Sequence, residues 1–260
     1  MKFIQSRDNP FFREIAKLAG SARQRGRENR TLLDGAHLLA AYLDSGFRPL
    51  HILVNSAALD DAEVEALLER AVGLPVTQLD DRLFAALSEL KTPTGVLALI
   101  DLPQPSATVS DSRFALLLED IQDPGNLGSM LRSAAAAGCD AVFLSRGCAD
   151  VWSPKVLRAA MGGHFVLNIH ERQDLPVVAS AFPGMLLAAT LQATHHLYGC
   201  DLRGNVAFSI GNEGAGLSAD LLNLATQTIA IPMPGKVESL NAAAATAICL
   251  FEAVRQRQDT

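Results

Sequence analysis

The stretch IPMPGKVESLNAAAATAICLFEAVRQ, from Ile231 to Gln256, carries more structural information than any other part of this chain. It opens on an apolar strand end, turns through Pro234-Gly235, and reaches Ser239 and Asn241 just before a long run of helix-forming residues. Serine and asparagine side chains accept hydrogen bonds from the unpaired N–H groups of a first helical turn. The pattern therefore predicts a strand, a turn and then a capped helix from about Asn241 to Arg257.

Two earlier stretches are built in the same way. EDIQDPGNLGSMLRSAAAAG (Glu119 to Gly138) follows a buried apolar run, and its turn places Asn126 as a plausible helix cap ahead of Arg132. FSIGNEGAGLS (Phe208 to Ser218) ends another apolar strand with three glycines in six residues, which lets the backbone approach a flat ligand and supply amide donors. Taken singly, the first of these also fits a structural turn with a capping Asn126 and a surface Arg132, and the second also fits an ordinary loop.

The remaining pattern predicts two α/β domains joined by a linker. The linker is LPQPSATVSDS, residues 102–112, with two prolines and no apolar periodicity. The predicted domains are residues 1–101, which are small and α/β, and residues 113–260, where strands and helices alternate. Such alternation predicts a parallel sheet with its site at the carboxyl ends of the strands. Elements expected along the way include a helix within Thr31–Leu43 and a strand at Phe165–Ile169.

Composition narrows the functional class. No apolar run approaches the ~18 residues of a membrane helix, and the first residues lack the apolar core of a secretory signal. The four cysteines are scattered, which favours free thiols in a reducing cytoplasm over disulfides or a zinc site. His195 and His196 are adjacent in sequence and cannot readily share one tetrahedral site with Cys200. No second pair of ligands follows them, so no metal is expected.

The distribution of charge leaves one candidate nucleic-acid surface. The formal net charge of −6 gives no support to RNA binding by itself. Residues 1–30, however, hold eight Lys/Arg against three Asp/Glu. Four closely spaced arginines there could face phosphates, although a solvated helix face is an equal alternative. The four are Arg23, Arg25, Arg27 and Arg30.

Together, in this order and spacing, the three glycine- and proline-punctuated stretches resemble the motifs of the SpoU (TrmH-like) branch of the SPOUT RNA methyltransferases. That family has an Asn on the first turn and an Arg on the next helix, then a GxExxG(L) loop, then IPMxGxxxSLN before the last helix. All of these letters are present here. AHLLAAYLDSG (Ala36 to Gly46) and TPTGVLAL (Thr92 to Leu99) also resemble the family's amino-terminal RNA substrate-binding domain. One departure is Ala242-Ala243, where many relatives have Val-Ser.

The resemblance implies a reaction, a cofactor and a fold. Similar proteins transfer a methyl group from S-adenosylmethionine to a ribose 2′-hydroxyl of RNA, act as homodimers, and form a carboxy-terminal trefoil knot in the catalytic domain. It assigns catalytic roles to Arg132, as base or as phosphate clamp, and to Asn126, Ser239 and Asn241. It places five residues at the cofactor: Gly211, Ile231, Leu240, Thr190 and Met233.

Four alternatives stand beside methylation of a ribose in 23S-type ribosomal RNA. One of them, methylation of a base, is disfavoured because the resemblance of the third motif is to the SLN type of the ribose branch. The RNA could be transfer RNA, or the protein could be a non-catalytic RNA-binding or ribosome assembly factor with the same fold. A Rossmann-type oxidoreductase is disfavoured, because Gly125-Asn126-Leu127-Gly128 lacks the GxGxxG fingerprint.

Overall fold

The computed structural model describes residues 1–88, 90, 94–193 and 195–258. Its contacts divide the chain into two compact units. Unit 1 comprises Met1–Pro103 and Trp152–Phe165, and unit 2 comprises Gln104–Val151 and Val166–Thr260. The predicted match at Thr92–Leu99 lies partly outside the described residues.

Unit 1 is a mixed five-stranded sheet covered by helices. The strands are β1 (Lys2–Ile4), β2 (Arg30–Asp34), β3 (His51–Val54), β4 (Val76–Leu79) and β5 (Val96–Asp101), in the order β1-β4-β3-β5-β2. The helices are α1 (Pro10–Gly20), α2 (Ala22–Glu28), α3 (Ala36–Asp44), α4 (Ala62–Arg70) and α5 (Asp81–Leu87). The pairing is parallel for β1, β4 and β3, and antiparallel where β5 meets β3 and β2.

The helix predicted from Thr31 is wrong in its first four residues. Residues 31–34 lie in β2 and are buried, and α3 begins only after Gly35, whose φ of 114° breaks the helical path. Apolar residues lie close on both sides of Asp34-Gly35, so periodicity alone could not separate a buried strand from a helix. The predicted cap of α1 is confirmed, because Asn9 accepts hydrogen bonds from Phe11 and Phe12.

Unit 2 is a seven-stranded parallel sheet. The strands are β6 (Phe114–Leu118), β7 (Ala141–Ser145), β8 (Asn168–Gln173), β9 (Met185–Ala189), β10 (His195–His196), β11 (Val206–Ile210) and β12 (Gln227–Ala230), in the order β10-β12-β9-β11-β6-β7-β8. Its helices are α6 (Pro124–Ala137), α8 (Leu175–Ala181), α9 (Ala219–Leu224) and α10 (Ala242–Gln258). The predicted parallel sheet is confirmed, since every pairing is parallel. The strand predicted at Phe165–Ile169 begins later, at Asn168.

Burial explains why the central strands are continuous apolar runs. Every residue of β6 and β11 is buried, because helices cover both faces of a parallel sheet. α10 packs against α6, and α8 packs against α9. An apolar core between the sheet and α8 includes Leu117, Phe143 and Leu186.

By contact, residues 152–165 cluster with unit 1, and in sequence they lie within the predicted domain of residues 113–260. They include α7 (Pro154–Ala160), which packs against β2. The Thr31 hydroxyl donates to the Trp152 carbonyl at 2.9 Å, and Arg158 lies 3.8 Å from the buried Asp34 carboxylate. Composition does not indicate that residues 152–165 pack with unit 1, because the contacts join residues more than 100 positions apart in sequence.

Candidate active site

The site is built where four adjacent strands end. β12, β9, β11 and β6 are neighbours in the sheet and all parallel, so their carboxyl ends lie at one edge. The three informative sequence stretches follow β6, β11 and β12. The fold therefore brings them together although they are far apart in sequence.

A cleft of about 410 Å³ opens at this edge, within the ~300–1,000 Å³ usual for small-molecule sites. Its walls come from the ends of β9 and β12, the loop at 211–217 and the start of α10. Apolar side chains dominate, and two of them at the cleft, Leu191 and Leu240, are 63% and 38% exposed. The five residues predicted at the cofactor all line it, together with Ser239: Gly211, Ile231, Leu240, Thr190 and Met233.

The loop at 211–217 folds back tightly on itself. A side chain at Gly211 would place its Cβ 2.3 Å from the Gly216 backbone and 2.4 Å from the Leu217 nitrogen. Asn212 and Gly216 form an isolated antiparallel bridge, and Gly216 adopts a φ of 72°. Glycine is required at these positions because two backbone segments touch and one turns left-handed.

Four backbone amides in or beside this loop donate within the protein and so are not free to donate to a ligand. Asn212 Oδ1 accepts from Gly214 and Ala215 at 2.9 and 3.0 Å. Gly216 donates to the Asn212 carbonyl, and the Ser218 amide donates to the Glu119 carboxylate at 2.7 Å. These four amides therefore form no open nest for phosphate.

Three polar side chains join the three stretches in one hydrogen-bonded series. Asn126 Nδ2 donates to Glu213 Oε1 at 2.8 Å, and Asn126 Oδ1 accepts from Asn241 Nδ2 at 2.9 Å. Asn241 Oδ1 in turn accepts from the Ala243 and Ala244 amides, so it caps α10 as predicted. Each asparagine has one donor and one acceptor already paired, which fixes the orientation of both amides.

The cap predicted for Asn126 is wrong. Asp123 caps α6, accepting from the Asn126 amide at 2.7 Å, and Asn126 is the third residue of the helix. An acidic residue suits a helix N-terminus as well as asparagine does, so the sequence left both choices open. The consequence is that the Asn126 side chain is free to bridge Glu213 and Asn241.

Arg132 lies on the exposed face of α6, two turns into the helix. Within the part of the chain that the structure describes, it forms no hydrogen bond or ion pair and does not line the cleft. Its guanidinium is thus available to a group outside a single chain. Ser239 reaches the cleft and is exposed.

The four basic residues predicted at RNA divide into different environments. Arg23 and Arg27 are exposed on α2, Arg27 pairing with its neighbour Glu28. Arg30 pairs with Asp101 at 3.2 Å. Arg25 does not fit the prediction: it is 5% exposed, and its guanidinium donates to the Leu18 and Ala19 carbonyls at 2.6 and 2.9 Å. The Arg25 guanidinium therefore satisfies carbonyl groups at the C-terminal end of α1 and does not face solvent.

All four cysteines are free thiols, and burial raises the pKa of Cys249 to about 12, which keeps it protonated. Among the described residues, no group of three or more His, Cys, Asp or Glu side chains could hold a metal ion. No helix in the described ranges has the length and hydropathy needed to cross a membrane.

Sequence reasoning missed the roles of Asn212, Glu213 and Glu119. Asn212 orders the loop at 211–217, called the glycine loop below. Both carboxylates connect this loop and the residue after it to the segment after β6. The available signal was the placement of polar residues beside glycines at two strand ends. Their partners, however, lie 87 to 99 positions away in sequence.

Comparison with known proteins covers both units. A model of the SpoU rRNA Methylase family matches residues 113–251, and a model of the MRM3-like substrate binding domain matches residues 9–98. An uncharacterized tRNA/rRNA methyltransferase of Synechocystis sp. is 35% identical over 98% of this chain and 94% of its own length. The 23S rRNA (guanosine(2553)-2′-O)-methyltransferase RlmP of Bacillus subtilis is 34% identical over 96% of this chain and 98% of its own.

A solved structure agrees with these matches. The AdoMet-bound rRNA methyltransferase from Sinorhizobium meliloti superposes with a TM-score of 0.84 at 27% identity, covering 98% of this chain and 97% of that one. The predicted family, the α/β fold with its parallel sheet and the enzyme class, an S-adenosylmethionine-dependent RNA 2′-O-ribose methyltransferase, are thereby confirmed. The chain belongs to the SpoU rRNA Methylase family.

Proposed function

We propose that this protein transfers the methyl group of S-adenosylmethionine to a ribose 2′-hydroxyl of large-subunit ribosomal RNA. The observation that carries the proposal is the convergence of all five predicted cofactor residues on one cleft. The 34% identity to a 23S ribosomal RNA methyltransferase, over nearly all of both chains, supports the choice of RNA.

The cleft suits this cofactor better than a phosphorylated one. Its apolar walls, with Ile231, Met233 and Leu240 at the edge, can enclose a flat adenine, and the exposed Leu240 is withdrawn from water when it does so. The amides of Gly214, Ala215, Gly216 and Ser218 already donate within the protein, so they are not open to a phosphate. S-adenosylmethionine supplies an electrophilic methyl group on a positively charged sulfur.

The polar groups at the edge of the cleft position the ribose. The series Glu213–Asn126–Asn241 is rigid, because its amides are oriented by paired donors and acceptors. Ser239, two residues before Asn241, is exposed at the cleft and can hydrogen-bond to the ribose hydroxyl. Holding that hydroxyl in line with the methyl carbon contributes ~7–11 kcal/mol at best.

Arg132 acts as a clamp on an RNA phosphate and stabilises the charge that develops on the 2′-oxygen. A guanidinium remains protonated in proteins, so a role as fixed positive charge agrees with its chemistry. Its planar fork also matches the geometry of a phosphate. The exposed, unpaired state of Arg132 in the described chain supports this role.

We further propose a homodimer in which Arg132 of one subunit completes the cleft of the other. Two observations support it. Arg132 is outside the cleft of its own chain, and α10, which packs against α6, bears Phe251 with 46% of its surface exposed. An aromatic side chain at a subunit interface is withdrawn from water, which favours association.

Residues 1–101 form the proposed RNA-binding domain, residues 102–112 the linker, and residues 113–260 the catalytic domain with its proposed knot. Arg23 and Arg27 on α2, and Arg30 at the start of β2, are the proposed phosphate contacts. The reducing cytoplasm is the proposed location, in keeping with the free thiols.

The test is methyl transfer from radiolabelled S-adenosylmethionine to RNA from a strain that lacks this protein. Ribosomal RNA, transfer RNA and intact large subunits are assayed separately, and labelled nucleosides are identified after digestion. A labelled 2′-O-methylnucleoside in ribosomal RNA or the large subunit is expected. Label in transfer RNA alone would overturn the choice of substrate. The absence of both labelling and cofactor binding would identify an RNA-binding factor instead.

A further inference from the structure

Asp120 lies two residues beyond β6 in a left-handed backbone conformation, with a φ of 54°. Only glycine visits this region freely, and Asp and Asn tolerate it better than other residues. A left-handed residue beside a cleft must be held by its surroundings, because isolated chains favour other conformations.

Ser145 and Gly147 hold Asp120 from the end of β7 and the loop after it. The Ser145 hydroxyl donates to Asp120 Oδ1 at 2.5 Å, and the Asp120 amide donates to Ser145 Oγ at 2.9 Å. A Cβ at Gly147 would lie 2.2 Å from Asp120 Oδ1, so the carboxylate occupies the space that the missing side chain leaves. The side chain and the backbone of Asp120 are therefore held by the same neighbour.

The Asp120 carbonyl connects the residues that hold Asp120 to the glycine loop. It accepts a hydrogen bond from Asn212 Nδ2 at 2.9 Å. The other end of the Asn212 amide accepts from Gly214 and Ala215, which line the cleft. An asparagine amide that donates at one end and accepts twice at the other has a single orientation.

We propose that Asp120 is a positioning residue for the cofactor cleft. Through Asn212, it holds the loop at 211–217 in the shape that binds S-adenosylmethionine. The proposal rests on the proposed function, since it takes S-adenosylmethionine as the ligand of the cleft. Asp120 does not line the cleft, so its effect is on cofactor affinity rather than on the chemical step.

Three substitutions at residue 120 separate its side chain from its backbone. Asp120→Asn retains the acceptor oxygen and the tolerance for a left-handed conformation. Asp120→Gly retains only the conformational freedom, and Asp120→Ala retains neither. Gly147→Ala displaces the carboxylate without altering Asp120. Asp174→Ala, which removes the cap of α8, is a control for general loss of stability in unit 2.

The experiment measures the dissociation constant of S-adenosylmethionine by calorimetry. KM and kcat are measured for methyl transfer, and thermal unfolding reports the stability of each variant. Asp120→Asn is expected to bind as the wild type does. Asp120→Gly and Gly147→Ala are expected to weaken binding about tenfold, with Asp120→Ala weaker still. KM for the cofactor should rise while kcat at saturating cofactor stays unchanged. Asp174→Ala should unfold earlier and bind normally.

A double-mutant cycle tests the route through Asn212. If Asp120 acts through this residue, Asp120→Gly should cause no further weakening in an Asn212→Ala protein. Additive losses of affinity from the Asp120 and Asn212 substitutions would overturn this inference and leave the proposed function standing. Wild-type affinity in both Asp120→Gly and Gly147→Ala would do the same. A folded wild-type protein that binds no S-adenosylmethionine would overturn it together with the proposed function.

Discussion

At the scale of single residues, the expected role of each polar side chain depends on whether it has a hydrogen-bond or ion-pair partner within the chain. Asn126 and Asn241 have their partners and act as fixed groups, whereas Arg132 has none among the described residues. In the proposed mechanism, Asn126 and Asn241 orient the ribose, and Arg132 binds an RNA phosphate. This division gives different expectations for their substitution.

Arg132→Ala should leave S-adenosylmethionine binding unchanged and lower kcat by about 10²–10³-fold, because it removes a positive charge where negative charge develops. Arg132→Lys should recover part of the rate, since it retains the charge but not the planar fork. Calorimetry and single-turnover kinetics with ribosomal RNA check both. Full activity in Arg132→Ala would refute the assigned role.

Glu213→Ala should leave the Asn126 amide without its acceptor and lower kcat/KM for RNA by about tenfold. Glu213→Gln is the matched variant, because its side-chain oxygen still accepts from Asn126 Nδ2. Steady-state kinetics with both variants provide the measurement. If Gln is as poor as Ala, then the negative charge, and not the hydrogen bond, is the function of Glu213.

At the scale of elements, the glycine loop and the capped helices explain why the same residues serve fold and site. Gly211 is needed because the loop's own backbone lies where a side chain would be. Asp123 takes the cap of α6, and this releases Asn126 for the site. Asn241 both caps α10 and holds Asn126.

Gly211→Ala should displace the loop and weaken S-adenosylmethionine binding more than about tenfold, since a Cβ 2.3 Å from backbone cannot be accommodated in place. Gly204→Ala is the control, because a Cβ there meets nothing within 4 Å. Calorimetry compares the two variants. Equal affinity in both would show that the loop's tight turn is not needed for binding.

Arg23→Ala combined with Arg27→Ala should weaken RNA binding. The slope of its salt dependence should fall by up to ~1 for each phosphate that the variant no longer neutralises. Filter binding across a range of salt concentrations provides the slope. An unchanged slope would assign α2 to an ordinary solvated surface.

Arg25→Ala should behave differently from its neighbours on α2. It removes two hydrogen bonds, one to the buried Leu18 carbonyl and one to the partly buried Ala19 carbonyl, so the free energy of unfolding should fall by about 1–3 kcal/mol. Urea denaturation measures this decrease. A stable Arg25→Ala protein with reduced RNA affinity would return Arg25 to the RNA-binding surface.

At the scale of the whole molecule, the proposed dimer decides whether Arg132 reaches a cleft at all. Phe251→Asp should separate the subunits, because it places a charge on the proposed apolar interface. Light scattering after size-exclusion chromatography measures the mass, and methyl transfer should fall with it. An active monomer would show that one chain holds a complete site.

Much of the architecture could be predicted from the chain alone. Uninterrupted apolar runs such as Phe114–Leu118 indicated buried parallel strands, and Asn9 and Asn241 indicated helix starts. Errors arose where a local pattern fits two structures. β2 continues directly into an apolar helix, and Asp123 and Asn126 are both competent caps.

The parallel sheet follows from short-range patterns in the sequence, namely apolar strand runs and turn residues, and the family and the five cofactor residues follow from the resemblance of three motifs to the SpoU branch. The folded chain was needed to show that Arg25 is buried, that Asn126 bridges Glu213 and Asn241, and that Asp120 holds Asn212. Each of the last two depends on partners about 90 or more positions apart. Such partners meet only because parallel strands bring their carboxyl ends to one edge.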